Sequence, residues 1–263
     1  MAIIVSGDMY IKLDGQLHEI KNQLRLHGGY PYDSEQLSHA LQRAIEGKFE
    51  DNHSRHETEI IVQSRGTTSP AILSTSDQWR SGMVKLYQNH MGLDITPELE
   101  KFQWPSELPQ GFNWSVFRPQ GLTAKMALDK LCKPQFKVVE YINLNDYSLE
   151  RQTDQPHLVL CRDTVEPDKE WLNQSGDDMS ETNTSFLDIC ERIILEATYF
   201  YIFKKHLDIK GLTRCPRSRH GDYVAVAYWY PGGREFWVFA YYRDYRNPDF
   251  GGREAIPLTL KTS

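Results

Sequence analysis

The chain has 263 residues, of which 40% are hydrophobic and 25% charged, and its formal net charge is −6. These values are ordinary for a globular protein and exclude a disordered or collagen-like chain. No apolar run approaches the roughly 20 residues of a membrane-spanning helix, and the first residues lack the basic and apolar regions of a signal peptide. We therefore expect a cytoplasmic protein that has no membrane partner.

Residues 1–110 predict a mostly helical region of unknown role. Apolar residues at helical spacing predict helices over 16–26, 34–46 and 76–90. His53 and His56 form an H-x-x-H pair inside a polar segment. Metal-binding pairs usually lie on a rigid helix or strand, so we interpret this pair as part of an exposed loop.

Residues 111–263 predict a domain with helices and antiparallel strands, which makes the expected fold class α+β. Thr123 is a good N-cap for a short helix, and the strongest helix pattern of the chain covers 185–206. We predict strands near 136–143, 157–162 and 253–260, and two strong strand runs at 223–230 and 235–242. Proline, glycine and polar residues predict loops over 103–121 and 173–185.

No catalytic, cofactor or metal motif is evident in the sequence. Cys132, Cys161, Cys190 and Cys215 are widely spaced and include no C-x-x-C pair, so we expect buried thiols and no zinc site. Ser218, His220 and Asp222 are the residue types of a hydrolytic triad. Such triads need side chains from separate elements, so we interpret this segment as a turn.

The segment 214–253 has an unusual composition. Its 40 residues hold 11 of the 31 aromatic residues of the chain and seven arginines, but no Lys, Gln or Met. Tyrosine, tryptophan and arginine are enriched in antibody paratopes and in the energetic centres of protein interfaces. The alternative is that these aromatic residues only fill the core of a β-sheet, where such residues are common.

We therefore predict a binding module that contacts a protein or another macromolecule through residues 217–250. The candidate ligand-binding residues are Arg219, Tyr223, Tyr228, Tyr230, Trp237, Tyr241, Tyr242, Asp244, Tyr245, Arg246 and Asn247.

Two other functions stay open. An enzyme acting on a nucleotide or nucleic acid would use Arg217, Arg219 and His220 to face the anion. Residues 211–263 carry a net charge of only +3, which is small for a nucleic-acid binder. Alternatively, a structural subunit would form oligomers through the segment 214–253, which we call the aromatic tail.

Six short stretches carry a resemblance to other sequences. They are Phe112-Asn113-Trp114, Gln120-Gly121-Leu122-Thr123, Leu187-Asp188-Ile189-Cys190-Glu191-Arg192, Lys205-His206-Leu207-Asp208-Ile209, Cys215-Pro216-Arg217-Ser218-Arg219 and Gly251-Gly252-Arg253-Glu254-Ala255-Ile256. Through them, residues from about 111 to the C-terminus resemble a family of bacterial proteins that has no assigned activity. This resemblance implies no chemistry.

The tail also resembles the variable C-terminus of C-type-lectin-like proteins that retroelements diversify. In that class, mutagenesis of adenines spreads Tyr, Asn, Asp, Ser, Gly, Arg and Phe over a binding surface, and it does not reach Lys, Gln or Met. The closing Arg253-Glu254-Ala255-Ile256 is similar to the Gly-Phe-Arg type of ending of that fold. This resemblance implies a C-type-lectin-like fold with a sequence-diversified binding surface.

Overall fold

Residues 75–261 are described by the structure, which is a computed structural model. The chain divides into two compact units, Met1–Ser69 and Pro70–Ser263, and the described residues belong to the second. The helices expected over 16–26 and 34–46 and the pair His53 and His56 lie outside the described residues.

The described residues contain both helices and sheets, which confirms the α+β class. The helices are α1 (Thr75–Met91), α2 (Thr96–Leu99), α3 (Ala124–Ala127, continued by a π-helical turn over Leu128–Cys132), α4 (Gly176–Ser180) and α5 (Ile189–Phe203), with 3₁₀ turns at Leu144–Asp146 and Lys169–Trp171. Within residues 75–261, no helix is long and apolar enough to cross a membrane.

The strands form two sheets. A three-stranded antiparallel sheet has the order β1 (Trp114–Arg118), β3 (His157–Cys161) and β8 (Ala255–Pro257). A five-stranded mixed sheet has the order β2 (Val138–Glu140), β6 (Glu235–Tyr242), β5 (Tyr223–Tyr230), β4 (Leu212–His220) and β7 (Phe250–Gly251). In the larger sheet, β4, β5 and β6 are antiparallel, whereas β2 and β7 each run parallel to their neighbour.

Helix α5 lies at the centre of the hydrophobic core. Its residues from Ile189 to Tyr199 are all buried, which explains why its sequence is apolar on nearly every side. The core also contains Trp79 of α1, whose ring stacks on Trp114 of β1 at a centroid distance of 4.6 Å. The two sheets and α1 are thus held around one apolar helix.

Buried ion pairs connect α5 to the surrounding strands. Asp208 accepts hydrogen bonds from Arg192 of α5 and, at 2.6 Å, from Arg253. Asp188 caps the N-terminus of α5 and pairs with Arg118 at the end of β1 at 2.8 Å. Each of these side chains is almost fully removed from solvent, so each charge depends on its partner.

Several sequence predictions are confirmed. Helix α1 matches the helix expected over 76–90, and β5 and β6 have the predicted bounds. The side chain of Thr123 accepts a hydrogen bond from the backbone N–H of Met126, as expected of an N-cap. All four cysteines are free and buried.

Other predictions are wrong. The segment 103–121 contains β1, and the segment 173–185 contains α4, whose cap Ser175 forms a capping box with Asp178. Helix α5 starts at Ile189 because Asp188 occupies the cap. Ser218 and His220 belong to β4, where the Ser218 hydroxyl accepts the N–H of Ile189 at 2.9 Å. Ser218 therefore anchors the start of α5.

Candidate binding surface

The β5–β6 hairpin determines which aromatic side chains face solvent. Its strands pair from Tyr223 opposite Tyr242 to Tyr230 opposite Glu235, without a register shift. Side chains alternate between the two faces of a strand, so each face receives every second residue. Tyr228 and its partner Trp237 consequently lie on one face, and Trp229 and its partner Phe236 lie on the other.

The face that carries Trp229 and Phe236 is the inner one. Phe236 is fully buried, and the Trp229 ring stacks on His206 just after α5. Phe136 contacts both rings, at centroid distances of 6.1 Å to Trp229 and 6.0 Å to Phe236. These aromatic residues belong to the core, as expected if aromatic residues of 214–253 fill the interior of a β-sheet.

The opposite face carries six aromatic side chains, which we call the aromatic face. They are Tyr141, Tyr228, Tyr230, Trp237, Phe239 and Tyr241. Trp237 is their centre, with centroid distances of 5.0 Å to Tyr141, 4.7 Å to Tyr230 and 5.8 Å to Tyr228. The contacts continue from Tyr228 through Phe239 to Tyr241 in steps of 5.7 and 5.6 Å. The rings thus form one continuous surface across three strands.

A groove of about 570 Å³ runs along the aromatic face, which is a volume typical of ligand sites. Tyr141, at one side of the groove, is 58% exposed, and Tyr230 and Tyr241 are exposed as well. At the other side, Leu212 and Phe250 contribute to the wall. Contiguous exposed apolar side chains are a feature of protein-interaction sites.

The loop after β6 extends the aromatic face. Tyr245 stacks on Tyr241 with centroids 5.1 Å apart and ring planes inclined by 14°. Asn247 donates to the Tyr245 hydroxyl at 3.3 Å and accepts the N–H of Asp249 at 2.9 Å, so it organises this loop. Tyr245 is therefore held in contact with the face although it follows the strand.

The environment of Tyr228 keeps its phenol uncharged at neutral pH. Burial raises the pKa of Tyr228, and the neighbouring Tyr230 raises it further, so this phenol stays protonated. The indole N–H of Trp237 donates to the Glu235 carboxylate at 2.7 Å. The salt bridge between Glu235 and Lys137, at 2.5 Å, offsets that carboxylate.

The arginines near the face are largely neutralised. Arg243 pairs with Asp177 at 3.0 Å, and Arg246 pairs with Asp178 at 2.7 Å. Arg219 donates to the carbonyl of Pro216 at 2.8 Å and also contacts Asp177. These three arginines therefore attach α4 to the sheet instead of presenting free cations.

One buried cation lies beside the aromatic face, on the same side of the sheet: Arg214 pairs with Val226, which pairs with Phe239. The Arg214 guanidinium is 5.1 Å from the centre of the Phe250 ring, and its Nη1 donates to the carbonyl of Gln174. In the described part of the chain, its Nε and Nη2 have no hydrogen-bond partner. Burial lowers the pKa of Arg214 to about 10, so it still carries a positive charge at neutral pH.

The remaining predicted residues lie elsewhere. Tyr223 and Tyr242 contact each other at 4.7 Å on the inner side of the hairpin, at its far end, and both are exposed. Asp244 is exposed in the loop after β6. Of the residues assigned to an enzyme, Arg217 pairs with Glu150 at 2.8 Å, and His220 contacts the carbonyl of Asp146 at 3.1 Å.

Sequence reasoning missed two members of the aromatic face. Phe239 lies within the aromatic tail. It is two residues from Trp237 on β6, so the alternation of side chains along a strand would have placed both on the same face. Tyr141 comes from a distant part of the chain and reaches the face only because β2 pairs with β6 in parallel. No sequence pattern reports that pairing.

Comparison of the chain with family models, with curated proteins and with solved structures finds no match. The two resemblances of the sequence therefore stay predictions.

Proposed function

We propose that the protein is a binding module that docks a partner protein on the aromatic face. The observation that carries this proposal is the continuous, partly exposed set of rings around Trp237, with a groove of about 570 Å³ along it. Tyrosine and tryptophan provide large contact areas at a small cost in side-chain entropy. Strands β5 and β6 hold these rings in place before any partner arrives, which lowers the cost of association.

The charges near the face favour a neutral or acidic protein surface as partner. The buried Arg214 gives a positive potential beside the rings, which disfavours a basic partner. Nucleic acids require free cations that contact phosphates, but Arg219, Arg243 and Arg246 already pair with Asp177 or Asp178. We therefore rank nucleic acid below protein as the ligand.

Tyr241 and Tyr242 provide a matched test. They are adjacent and chemically identical, yet Tyr241 belongs to the aromatic face and Tyr242 lies on the other side of the hairpin. A partner is first isolated with the wild-type full chain, and its affinity for Tyr241→Ala, Trp237→Ala and Tyr242→Ala is then measured with purified proteins. We expect the first two to weaken binding by about 2 kcal/mol, roughly thirtyfold, and the third to leave it unchanged.

Two outcomes contradict the proposal. Equal losses for Tyr241→Ala and Tyr242→Ala would show that the aromatic face is not the contact. Analytical ultracentrifugation of the purified chain measures its oligomeric state and so tests the alternative of a structural subunit. If the chain self-associates and Trp237→Ala makes it monomeric, the occupant of the face is a second copy of this chain.

The finer proposal is that the tail is a sequence-diversified surface on a C-type-lectin-like fold. Its support is the absence of Lys, Gln and Met from 214–253 together with the outward position of Tyr228, Tyr230 and Tyr241. Close relatives should then differ mainly at these outward positions and share the inward Phe236 and Trp229. An even spread of differences over both faces would contradict diversification.

We also propose a cytoplasmic location. Its support is the set of four buried, free thiols, because a reducing compartment keeps thiols in this state. Fractionation of cells that express the chain from its own gene tests this location, and recovery outside the cytoplasm contradicts it.

A further inference from the structure

Arg214 differs from the other buried arginines in having no ion pair among residues 75–261. The arginines whose side chains are buried are Arg118, Arg151, Arg192, Arg214 and Arg253. In each of the other four, a carboxylate oxygen lies within 3.3 Å of a guanidinium nitrogen. A buried charge without an opposite charge is costly, so the guanidinium of Arg214 calls for an anion.

Two nitrogens of this guanidinium are free to bind that anion. Nη1 donates to the carbonyl of Gln174 at 2.6 Å, whereas Nε and Nη2 have no hydrogen-bond partner within the described residues. Nε and Nη2 lie on the same edge of the planar guanidinium, and two parallel N–H donors match the two oxygens of a carboxylate.

Asp178 does not supply the missing anion. Burial lowers the pKa of Arg214, although Asp178 and Tyr245 act in the opposite direction. The carboxylate of Asp178 is used elsewhere, because Oδ1 pairs with Arg246 at 2.7 Å and Oδ2 accepts the backbone N–H of Ser175 at 2.8 Å. Arg214 therefore carries its charge without a carboxylate of its own.

Arg214 adjoins one end of the groove of the aromatic face. Leu212 lines the groove, and it precedes Arg214 by two residues on β4, so both side chains lie on the same side of the sheet. Phe250 also lines the groove, and the centre of its ring is 5.1 Å from the guanidinium carbon. The aromatic groove thus ends beside a buried cation.

We infer that the docked partner inserts an acidic side chain at this end of the groove, with its carboxylate on Nε and Nη2 of Arg214 and its apolar neighbours on the rings. The guanidinium is covered, so one ring has to turn aside to admit the carboxylate. Tyr245 has room to do so, because it is 40% exposed in the loop after β6, with its ring 6.0 Å from that of Phe250. The surrounding rings exclude water, which strengthens the ion pair.

This inference rests on the proposed function, since it names the chemical group with which the partner enters the groove. It is tested with the purified full chain and two pools of fluorescent peptides that have blocked ends. The central residue is Glu in one pool and its neutral analogue Gln in the other, and the flanking positions are random mixtures of Phe, Tyr, Leu and Ser. Measured by fluorescence anisotropy, the Glu pool should bind about tenfold more tightly than the Gln pool.

Variants of two arginines on β4 locate the contact. Arg214→Met keeps an unbranched side chain without its charge, so the Glu and Gln pools should bind this variant equally. Arg214→Lys keeps the charge but loses the edge with two donors, and it should reduce the preference for Glu even if Arg214→Met fails to fold. Arg217→Met is the matched control, because Arg217 already pairs with Glu150 at 2.8 Å, and it should keep the full preference.

The results also separate this inference from the proposed function. Trp237→Ala should weaken binding of both pools, because both use the rings. If wild type binds the two pools equally and Trp237→Ala weakens both, the aromatic face is a docking site but the inference about Arg214 is overturned. It is overturned as well if neither pool binds, or if the folded variants of Arg214 keep the full preference for Glu. The proposed function is decided independently, by the affinities of the isolated partner for Tyr241→Ala and Tyr242→Ala.

Discussion

Asp208 is the buried charge on which we expect the stability of the second unit to depend most. One of its oxygens accepts from Arg192 at 2.9 and 2.8 Å and from Thr213 at 2.5 Å. The other oxygen accepts from Arg253 at 2.6 Å. The substitution Asp208→Asn keeps the shape and, because Asn tolerates a positive φ such as the 53° found here, it also keeps the backbone.

Asp208→Asn should lower the stability of the fold because the amide nitrogen of Asn cannot accept a hydrogen bond. The amide oxygen can still accept from Arg192 and Thr213, but the amide nitrogen then faces Nη2 of Arg253, a second donor. Arg192 keeps its pair with Glu196 at 2.9 Å, whereas Arg253 keeps only carbonyl and hydroxyl partners. Removing one partner of a buried ion pair costs about 3–5 kcal/mol, and we expect a loss of that size in the free energy of unfolding.

Urea unfolding followed by tryptophan fluorescence measures this loss in the full chain. All six tryptophans lie in the second unit, so the signal reports on that unit. Asp129→Asn is the matched control, because Asp129 is an exposed carboxylate that pairs with Lys125 and Lys133. Exposed ion pairs contribute about 0–1 kcal/mol to the free energy of unfolding. Similar losses for the two variants would refute the importance assigned to Asp208.

Lowering the pH should weaken the same interactions of Asp208, because it protonates the carboxylate. Burial alone would raise the pKa of Asp208, but Arg192 and Arg253 bring it below its ordinary value. The carboxylate therefore stabilises the fold above the ordinary pKa of an aspartate, and this contribution is lost as the pH falls towards the lower pKa of the folded state. The difference in stability between wild type and Asp208→Asn should accordingly shrink in acid.

Three further predictions concern stability. Burial, followed by the nearby Asp188, raises the pKa of Glu191 from 4.5 to about 8, so wild type should lose stability as the pH rises between these values. Glu191→Gln should remove that loss in urea titrations at several pH values, and an unchanged pH slope would contradict it. Thr123→Ala should lower the free energy of unfolding by about 1 kcal/mol in the same assay, because the cap of α3 is lost, and no change would contradict the cap. Phe236→Ala should cost about 3–5 kcal/mol because its ring is fully buried, and a loss below about 1 kcal/mol would place the ring at the surface.

Regular patterns in the sequence were sufficient to predict some elements. Strands β5 and β6 are unbroken runs of eight residues each, mostly β-branched, aromatic or alanine, and they are joined by Pro231-Gly232-Gly233-Arg234, so both strands and their shared turn could be predicted. Side chains alternate between the two faces of each strand. The same alternation separates Tyr228 and Tyr230 from Trp229. It does not tell which face is covered, because that depends on where α5 packs.

Strands β1 and β4 could not be predicted for a physical reason. All five residues of β1 are buried, so its sequence has no alternation, and its last residue is the charged Arg118. In β4, Pro216 and three arginines suggest a polar turn, and the register shifts between Cys215 and Arg219. These charges are compatible with strands only because distant carboxylates such as Asp188 and Glu150 meet them.

The six short stretches on which the predicted resemblance depends and the aromatic face occupy different parts of the fold. Asp188, Arg192, Asp208, Ser218 and Arg253 all fall within those stretches, and all are buried polar residues that hold α5 against the sheets. The rings of the aromatic face, in contrast, fall within none of them. A scaffold whose polar network lies inside can accept new side chains on its outer face with little loss of stability. The proposal of a binding module with a changeable surface requires such a separation.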